Sequence, residues 1–138
     1  MQVQDCMQTI VITVTPEDRV STARQRMRGG RIRHLPVVSE DNRLAGVVTD
    51  RDVRQATASD EPHMAVHELT DLLEKMTVKD IMTRAVVTVR RDTPIVEAGQ
   101  LFLEKRFGCL PVVSETQALE GIITVTDLLQ AFVKQHER

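Results

Sequence analysis

The chain has 138 residues and a formal net charge of −2, and it contains no Trp, no Tyr and only three Phe. This length suits one domain or two small units that share a core. The charge offers no basic field to a polyanion and the composition no aromatic platform for bases, so nucleic acid is not an expected partner. No apolar run approaches the roughly 20 residues of a membrane span, and neither end resembles a signal peptide. We expect a cytoplasmic protein with an aliphatic core, buried reduced cysteines and no membrane partner.

The dominant feature of the sequence is an internal repeat with a period of 75 residues. Residues 5–54 align with residues 80–129 without a gap. Both copies contain Leu-Pro-Val-Val-Ser-Glu, followed by Gly-x-x-Thr-x-x-Asp. Identities in register over this length indicate a duplication. The expected organisation is a first repeat at residues 1–54, a linker at residues 55–79 and a second repeat at residues 80–138.

Each repeat predicts the element order β-α-β-β-α. In the first repeat, Ile10–Val14 is short and β-branched, which favours a strand. Thr15–Asp18 then breaks the strand, and apolar residues at helical spacing follow it. Gly29 and Gly30 are expected to end this helix, because glycine accepts the left-handed conformation of a C-cap. The second repeat has Glu-Lys at these positions, so its helix is expected to stop by another device.

A hairpin and a second helix complete each repeat. Strands are predicted around Leu35–Val38 and Leu44–Thr49, and a helix is predicted to start at Asp50. Thr49 and its counterpart Thr124 are natural N-cap residues, because a threonine hydroxyl accepts a hydrogen bond from a free N–H of the first turn. The sequence therefore predicts that Gly-x-x-Thr-x-x-Asp ends a strand and begins a helix in both repeats.

The linker has no counterpart inside the repeat. His63–Met76 has one apolar side, which predicts an amphipathic helix that packs against the repeats. His63 and His67 lie four residues apart, a spacing that could chelate a metal ion, but a third ligand is not evident. We therefore expect a coincidence of the helix surface and no metal site.

The duplicated motifs resemble those of a pair of CBS (cystathionine-β-synthase) domains. The likeness covers residues 1–133 and includes the openings Asp5-Cys6-Met7 and Asp80-Ile81-Met82, which are similar to the Asp-Ile-Met that commonly begins such repeats, with Cys6 as a departure. The resemblance implies an α+β fold of tandem CBS repeats in a pseudo-twofold pair. It further implies two clefts between the repeats, which bind adenine nucleotides or adenosyl compounds in many members, and a homodimer of two such pairs.

The Thr-x-x-Asp pair supplies chemistry that an adenosine ligand needs. Asp52 and Asp127 are predicted one turn into a helix, where a carboxylate can accept two hydrogen bonds from a ribose diol. The helix N-terminus offers free N–H groups and partial positive charge to a phosphate. Threonine and aspartate also stabilise a helix start that binds nothing, and spacing alone leaves this alternative open. With the resemblance, both pairs are expected to be ligand sites.

The expected ligand-binding residues are the capping pairs, the lead-in to the first strand of each repeat as a slot for the base, and positions around the hairpin. In the first repeat they are Thr9, Ile10, Ile12, Arg33, His34, Pro36, Thr49, Arg51 and Asp52. In the second repeat they are Arg84, Ala85, Val87, Cys109, Pro111, Thr124, Thr126 and Asp127. Plain core strand is the alternative role for some of the lead-in residues.

The two repeats differ in charge around these motifs. We hypothesise that Arg33, His34 and Arg51 hold phosphate, because the second repeat has Gly, Cys and Thr at the equivalent positions. The two sites would then be unequal, and one would bind poorly. A solvated basic edge that binds no ligand is the alternative.

The sequence predicts a regulatory binding module and not an enzyme. It contains no Walker loop, no Gly-x-Gly-x-x-Gly and no Ser-His-Asp arrangement, and we assign no catalytic residue. No cofactor is required, and AMP, ADP, ATP or S-adenosylmethionine is the expected regulatory ligand. Its occupancy would shift the protein between conformations and signal to an effector protein that the sequence does not identify. The alternative is a structural dimerisation or assembly module with vestigial clefts.

Overall fold

The computed structural model describes residues 1–57 and 66–137. The chain divides into two compact units. The first-repeat unit is Ile12–Ala85, and the second-repeat unit combines Met1–Val11 with Val86–Arg138. Each unit therefore contains the body of one repeat and the opening segment of the other. None of the helices within the described ranges is long and apolar enough to cross a membrane.

The first-repeat unit is built on a β-hairpin flanked by helices. Its elements in chain order are α1 (Val20–Gly30), β1 (His34–Val38), β2 (Leu44–Thr49), α2 (Asp50–Thr57), α3 (Val66–Lys75) and α4 (Val78–Ile81). β1 and β2 pair antiparallel, with His34 opposite Thr49. The predicted hairpin and the predicted helix start at Asp50 are confirmed.

The predicted strand Ile10–Val14 is wrong except at its last residue. Val14 bridges β1 in parallel, donates to the Pro36 carbonyl at 3.1 Å and accepts from the Val38 N–H at 2.9 Å. Ile10 is 93% exposed and belongs to the second-repeat unit. β-Branched residues favour an extended backbone, but a strand also needs a neighbour to pair with. Within this segment, Val14 alone pairs with a strand.

The end of α1 corrects the role expected of the two glycines. Gly29 and Gly30 are the last helical residues, and the left-handed residue is Arg31, with a φ of 55°. The second repeat ends its helix in the same way, at Arg106 with a φ of 55°. A Cβ at Gly30 would lie 2.7 Å from Cδ1 of Ile12, which is the end of a flexible side chain that can move aside, and the second repeat has Lys105 at the equivalent position. The two repeats therefore share one way of ending the helix.

The linker helix packs on the first-repeat unit, as predicted. Leu73 of α3 is buried in the aliphatic core of this unit, and Leu69 and Met76 pack against the same core. The described helix begins at Val66. The start of the predicted helix, at His63, lies outside the described residues.

The second-repeat unit repeats this arrangement. Its elements are a 3₁₀ helix (Val3–Asp5), α5 (Ile95–Lys105), β3 (Cys109–Val113), β4 (Leu119–Thr124) and α6 (Val125–Gln135). Cys109 lies opposite Thr124 in the antiparallel hairpin, and Val89 bridges β3 in parallel, as Val14 bridges β1. Apart from Phe102, the buried core of this unit is aliphatic, as the composition predicts.

The opening segments of the two repeats are exchanged in the same manner. In the second-repeat unit, the Val3 N–H donates to the Thr93 carbonyl at 2.8 Å. In the first-repeat unit, the Val78 N–H donates to the Asp18 carbonyl at 2.8 Å. Val3 and Val78 are fully buried. The division into repeats drawn from the sequence describes the duplication and stays a prediction, whereas the compact units follow this packing.

Candidate functional sites

Asp127 lies in the first turn of α6 and is only 7% exposed. Its Oδ2 accepts hydrogen bonds from Thr124 N at 2.8 Å and Thr124 Oγ1 at 3.0 Å. Thr124 Oγ1 in turn accepts from the Asp127 N–H at 3.2 Å. This is a capping box, in which the two side chains satisfy two of the free N–H groups of the helix start. Thr124 is therefore the N-cap that the sequence predicts.

Asp52 forms the same turn at the start of α2. Its Oδ2 accepts from the Thr49 N–H at 2.9 Å, and Thr49 Oγ1 accepts from the Asp52 N–H at 3.1 Å. Asp52 is half-buried. Its Oδ1 accepts no hydrogen bond from any residue that the structure describes. One carboxylate oxygen of Asp52 thus caps the helix, and the other is open as far as the described residues are concerned.

The two carboxylates differ in what meets their second oxygen. Gln8 Nε2 lies 3.0 Å from Oδ1 and 3.2 Å from Oδ2 of Asp127, and it donates to the carboxylate. The residue equivalent to Gln8 in the other unit is Thr83, whose side chain is too short to reproduce this contact. Both oxygens of Asp127 are therefore partnered, whereas Asp52 keeps one open.

The glycine of the repeated motif lets an opening segment approach the hairpin. In the second-repeat unit, Gln8 and Ile122 exchange backbone hydrogen bonds of 2.8 and 2.9 Å. A Cβ at Gly121 would lie 2.6 Å from the Gln8 carbonyl oxygen. Gly46 meets the Thr83 carbonyl oxygen in the same way, at 2.5 Å. No real Cβ tolerates such distances to a backbone atom, so glycine is required at both positions.

Both repeats match the family model of the CBS domain, at residues 3–59 and 78–134. The chain belongs to the CBS domain family. A CBS domain-containing protein of Dictyostelium discoideum is 34% identical over 135 residues, which are 96% of this chain and 91% of that protein. The inosine-5′-monophosphate dehydrogenase of Methanocaldococcus jannaschii is 37% identical over 120 residues, but these are only 21% of that enzyme.

Solved structures of CBS pairs have the same fold. CBSX2 of Arabidopsis thaliana, solved in complex with AMP, has a TM-score of 0.84 at 29% identity, over 99% of this chain and 98% of that chain. The CBS domain pair of protein MJ0100, solved with 5′-methylthioadenosine and S-adenosyl-L-methionine, has a TM-score of 0.81 at 26% identity, over 98% of each chain. The predicted α+β fold of tandem CBS repeats is therefore confirmed.

Two of the three base-slot residues predicted for each CBS repeat lie in the unit of the other repeat. Thr9 and Ile10 belong to the second-repeat unit, which contains Asp127. Arg84 and Ala85 belong to the first-repeat unit with Asp52, and all four of these candidates are exposed. Each lead-in thus accompanies the aspartate of the opposite repeat, a pairing that the sequence analysis did not anticipate.

Two further lead-in candidates pack within the units that contain the bodies of their own repeats. Val87 is half-buried and packs against the core of the second-repeat unit. Ile12 is 40% exposed and contacts the end of α1 at Gly30. The chain passes from one unit to the other between Val11 and Ile12, and again between Ala85 and Val86. Ile12 and Val87 therefore lie in a different unit from the lead-in residues that precede them.

The hairpin candidates are buried to different degrees. His34 is half-buried at the start of β1, and Cys109 is 8% exposed at the start of β3. Burial raises the pKa of the Cys109 thiol to about 12, so that this group stays protonated at physiological pH. Pro36 and Pro111 are buried within the hairpins, and Thr126 is exposed on α6.

The two arginines expected to hold phosphate have different surroundings. Arg33 lines a cavity of the first-repeat unit that lies between α1 and α2. Arg51 is exposed and does not line this cavity. The structure thus brings Arg33 to a basic cavity that also contains arginines outside the predicted site.

Sequence reasoning missed four residues that shape the sites: Gln8, Thr83, Gly46 and Gly121. Gln8 and Thr83 each follow the methionine of an Asp-x-Met opening, so their equivalence could be read from the repeat. Their partners could not be read, because nothing in the pattern assigns an opening segment to the hairpin of the other repeat. Gly46 and Gly121 belong to the quoted motif, and their role depends on that same assignment.

The described residues contain no group of three His, Cys, Asp or Glu side chains that could hold a metal ion. His63 lies outside the described residues, and so does the side chain of His67. The chelating role considered for this histidine pair is therefore untested.

Proposed function

We propose that this CBS protein is a regulatory module that binds an adenosine-containing ligand at the capping pairs Thr49–Asp52 and Thr124–Asp127. The observation that carries the proposal is the open Oδ1 of Asp52. The helix cap uses Oδ2 alone, so Oδ1 is left to accept a hydrogen bond from a ribose hydroxyl, strengthened by the negative charge. The same helix start favours the negative charge of a phosphate.

The solved relatives support the class of ligand. CBSX2 was solved with AMP, and the MJ0100 pair with 5′-methylthioadenosine and S-adenosyl-L-methionine. These three ligands share an adenosine and differ in charge at the 5′ position. We therefore propose adenosine as the common element that this chain recognises, with AMP, ADP, ATP and S-adenosylmethionine as the candidates. No ligand is required as a resident cofactor.

The two sites are proposed to be unequal. A ligand at Asp127 must displace the Gln8 amide or share the carboxylate with it, whereas a ligand at Asp52 meets an open oxygen. Displacing a bond to a charged group costs about 1.5–3 kcal/mol, or roughly ten- to hundredfold in affinity. The Asp52 site is therefore the tighter one in this proposal. The first repeat also has more positive charge around its motifs than the second repeat, which favours tighter phosphate binding at the Asp52 site.

Regulation is proposed to work by population shift. A ligand changes the balance between two conformations only by as much as its affinities for them differ. We propose that ligand binding at the Asp52 site shifts this balance and that an effector protein responds to the shift. We further propose that the chain acts in the cytoplasm and catalyses no reaction. The CBS domain-containing protein of Dictyostelium discoideum and the CBSX2 pair support a binding role. The matched dehydrogenase resembles this chain over only 21% of its own length.

Isothermal titration calorimetry tests the proposal. Wild-type protein is titrated with AMP, ADP, ATP and S-adenosylmethionine, and at least one is expected to bind with micromolar to millimolar affinity. Asp52→Asn is expected to weaken that binding by about tenfold or more, because it removes the charge that strengthens the ribose contact. Asp50→Asn, which removes the same charge two residues earlier in the first turn of α2, is the matched control and is expected to bind as wild type.

The proposal fails if none of the four ligands gives heat at millimolar concentration and none raises the melting temperature. A ligand at 100 times its dissociation constant should add about 2.7 kcal/mol to the free energy of unfolding, which is enough to raise the melting temperature measurably. Equal weakening by the two aspartate variants would also reject the assignment of Asp52.

A homodimerisation or assembly role is the second candidate, and one observation favours it. In the second-repeat unit, α5 and α6 expose six large apolar side chains, between 49% and 82% exposed: Val96, Leu103, Val125, Leu129, Phe132 and Val133. Exposed apolar groups of this number on neighbouring helices mark an interaction surface. We propose that a second copy of the chain covers them.

Light scattering after gel filtration tests the dimer. Leu103→Arg and Leu129→Arg introduce the residues that the first repeat carries at the equivalent positions, Arg28 and Arg54. The double variant is expected to be monomeric at concentrations where the wild type is dimeric. A monomeric wild type, or a double variant with unchanged mass, would reject this surface as the interface.

A further inference from the structure

The first-repeat unit contains a basic cavity of about 620 Å³ that the ribose-binding proposal does not use. It lies between α1, α2 and α3, beside the start of β1. Five arginines line it, from α1, the segment that follows it, and α2: Arg24, Arg28, Arg31, Arg33 and Arg54. We refer to this feature as the arginine cavity.

Most of the positive charge in the arginine cavity has no acidic partner within residues 1–57 and 66–137. Arg54 pairs with Asp50 at 3.2 Å, and among the residues that the structure describes Asp50 is the one acid that lines the cavity. The other four arginines form no ion pair with any acid in the described part of the chain. Like charges gathered in one concave space repel each other, and low-dielectric walls strengthen that field. An anion that enters the cavity relieves this repulsion.

The floor of the arginine cavity is apolar. Met27 and Val53 are each 4% exposed and line it, together with the partly buried Ile32 and Leu69. The volume falls within the range of about 300–1,000 Å³ that is typical of small-molecule sites. A concave apolar floor with a cationic rim differs from the solvated face that single surface arginines form. It suits a compact ligand with several negative charges.

The duplicated repeat shows that the fold does not need these arginines. At the equivalent positions the second repeat has Gly99, Leu103, Gly108 and Leu129 in place of four of them, and it keeps only Arg106. The second-repeat unit nevertheless forms the same helices and the same hairpin register. The arginine cavity is therefore a property of one unit and not a requirement of the architecture.

We propose that the arginine cavity binds a small oligophosphate, a ligand with two or more adjacent phosphate groups. A guanidinium group presents paired N–H donors that match phosphate oxygens, and several guanidinium groups at one site match a chain of phosphates. A single phosphate would neutralise only part of the charge. A nucleic acid would need an extended basic surface and stacking partners, and the chain contains no Trp or Tyr.

The arginine cavity is separate from the capping pair on the same helix. Asp50, Val53, Arg54 and Thr57 line the cavity and recur at the spacing of one helical face. Asp52 lies about 200° around the helix from Asp50 and does not line the cavity. Oligophosphate binding therefore stands or falls independently of the adenosine site.

Calorimetric titration with sodium tripolyphosphate tests the proposal. Wild-type protein is expected to bind tripolyphosphate at least about tenfold more tightly than orthophosphate, and to lose affinity as salt is added. Arg24→Gln/Arg28→Gln is expected to weaken tripolyphosphate binding by about tenfold or more. Arg43→Gln/Arg91→Gln removes the same charge outside the cavity and is expected to bind as wild type. Arg28→Leu introduces the residue that the second repeat has at this position, Leu103. Because it removes one arginine, it should weaken tripolyphosphate binding less than the double variant does.

Three results would overturn the proposal. These are no tripolyphosphate heat at millimolar concentration, equal losses in the cavity variant and its control, or tighter binding of a single-stranded oligonucleotide than of tripolyphosphate. Circular-dichroism melts check that each variant is folded. Asp52→Asn is expected to keep tripolyphosphate binding even if it loses adenosine ligands.

An ATP titration then identifies the source of the oligophosphate. ATP heat that survives in Asp52→Asn and disappears in Arg24→Gln/Arg28→Gln assigns the cavity to a nucleotide tail. ATP heat that disappears only in Asp52→Asn, with tripolyphosphate binding intact, assigns it to a free oligophosphate. Either result supports the site.

Discussion

Gln8 donates a hydrogen bond from Nε2 to Oδ1 of Asp127 across 3.0 Å, although the two residues are 119 positions apart in the chain. Gln8 belongs to the opening segment of the first repeat, and Asp127 to the last motif of the second. The contact closes the second oxygen of a carboxylate whose first oxygen already caps α6. The equivalent position beside Asp52 is occupied by Thr83. The two repeats therefore keep the same aspartate and differ in whether its second oxygen is open.

Exchange of these two residues should exchange the properties of the sites. Gln8→Thr removes the bond to the Asp127 carboxylate and is expected to lower the free energy of unfolding by about 1 kcal/mol, since the partner is charged but Gln8 is exposed. It should also strengthen adenosine-ligand binding at the second-repeat site. Thr83→Gln should weaken binding at the Asp52 site by supplying a competing donor. Urea unfolding and calorimetry measure the two effects.

The contrasting result is easily recognised. If Gln8→Thr weakens ligand binding as much as Asp127→Asn does, Gln8 contributes to the bound state and does not compete with the ligand. If neither Gln8→Thr nor Thr83→Gln changes the stoichiometry or affinity, the second oxygen does not control occupancy.

The motif glycines should be intolerant of even one added carbon. Gly46→Ala places a Cβ 2.5 Å from the Thr83 carbonyl oxygen, which is a backbone atom and cannot rotate away. We expect the free energy of unfolding to fall by about 2 kcal/mol, because an added carbon that the surrounding backbone cannot accommodate destabilises the fold by this order of magnitude. The opening segment should separate from β2, and the Asp52 site should lose affinity with it. Thermal melts and ligand titration of the variant check both expectations.

Gly29→Ala is the matched control for this substitution. Gly29 is helical and has nothing within 4 Å of the position of its Cβ. Alanine there should raise the free energy of unfolding by about 0.5–1 kcal/mol, because it restricts the unfolded chain and favours the helix. A Gly46→Ala protein as stable as Gly29→Ala would contradict the close approach of Thr83.

The features that sequence reasoning predicted are those with local causes. The hairpin from His34 to Thr49 follows from two β-branched runs around a polar turn. The N-caps follow from a threonine and an aspartate three residues apart, which satisfy each other within one turn. These interactions join residues that are close in the chain. Their geometry is therefore contained in the spacing of the residue types.

The exchange of opening segments has no local cause. Because the repeats are duplicates, each hairpin offers a glycine, Gly46 or Gly121, against which either opening segment could pack. The pattern of apolar residues is the same for both pairings and cannot choose between them. The contacts of Gln8 and Thr83, and with them the inequality of the carboxylates, depend on this choice. The left-handed C-cap of α1 at Arg31 was missed for another reason. Arginine rarely adopts this backbone conformation, so its presence in the sequence does not predict it.

The two cysteines should react at very different rates. Thiolate is the reactive form, and burial raises the pKa of Cys109 to about 12. Cys6 is half-buried, and its pKa is raised first by this burial and then by the negative charges of Asp127 and Asp5. The sequence predicted two buried thiols, and Cys6 departs from that. A thiol-specific reagent at mildly alkaline pH should therefore modify Cys6 slowly and leave Cys109 untouched in the folded protein.

Cys6→Ser and Cys109→Ser assign the reacting group. Cys109→Ser should keep the slow reaction of Cys6. Cys6→Ser should react only in denaturant, where its one remaining thiol, Cys109, becomes accessible. Rapid modification of Cys109 in the folded Cys6→Ser protein would contradict its burial at the start of β3.

The capping box of α4 should give the first-repeat unit a pH-dependent contribution to stability. Asp80 Oδ2 accepts from the Thr77 N–H at 3.0 Å and from Thr77 Oγ1 at 2.9 Å. These bonds, the backbone one first, lower the pKa of Asp80 below the ordinary value of 3.8. Since the folded pKa is the lower one, the stabilisation is fully present above 3.8 and is lost as the pH falls through the folded pKa.

Asp80→Ala should therefore unfold at lower urea concentration than the wild type at neutral pH, and the difference should shrink once the pH is below the lowered pKa. Asp71→Ala removes the same charge from an exposed position of α3, in the same unit. Its stability difference from the wild type should be small at neutral pH, because surface charges away from caps contribute little. A deficit of Asp80→Ala that is the same at both pH values would assign its effect to the helix sequence and not to the charged cap.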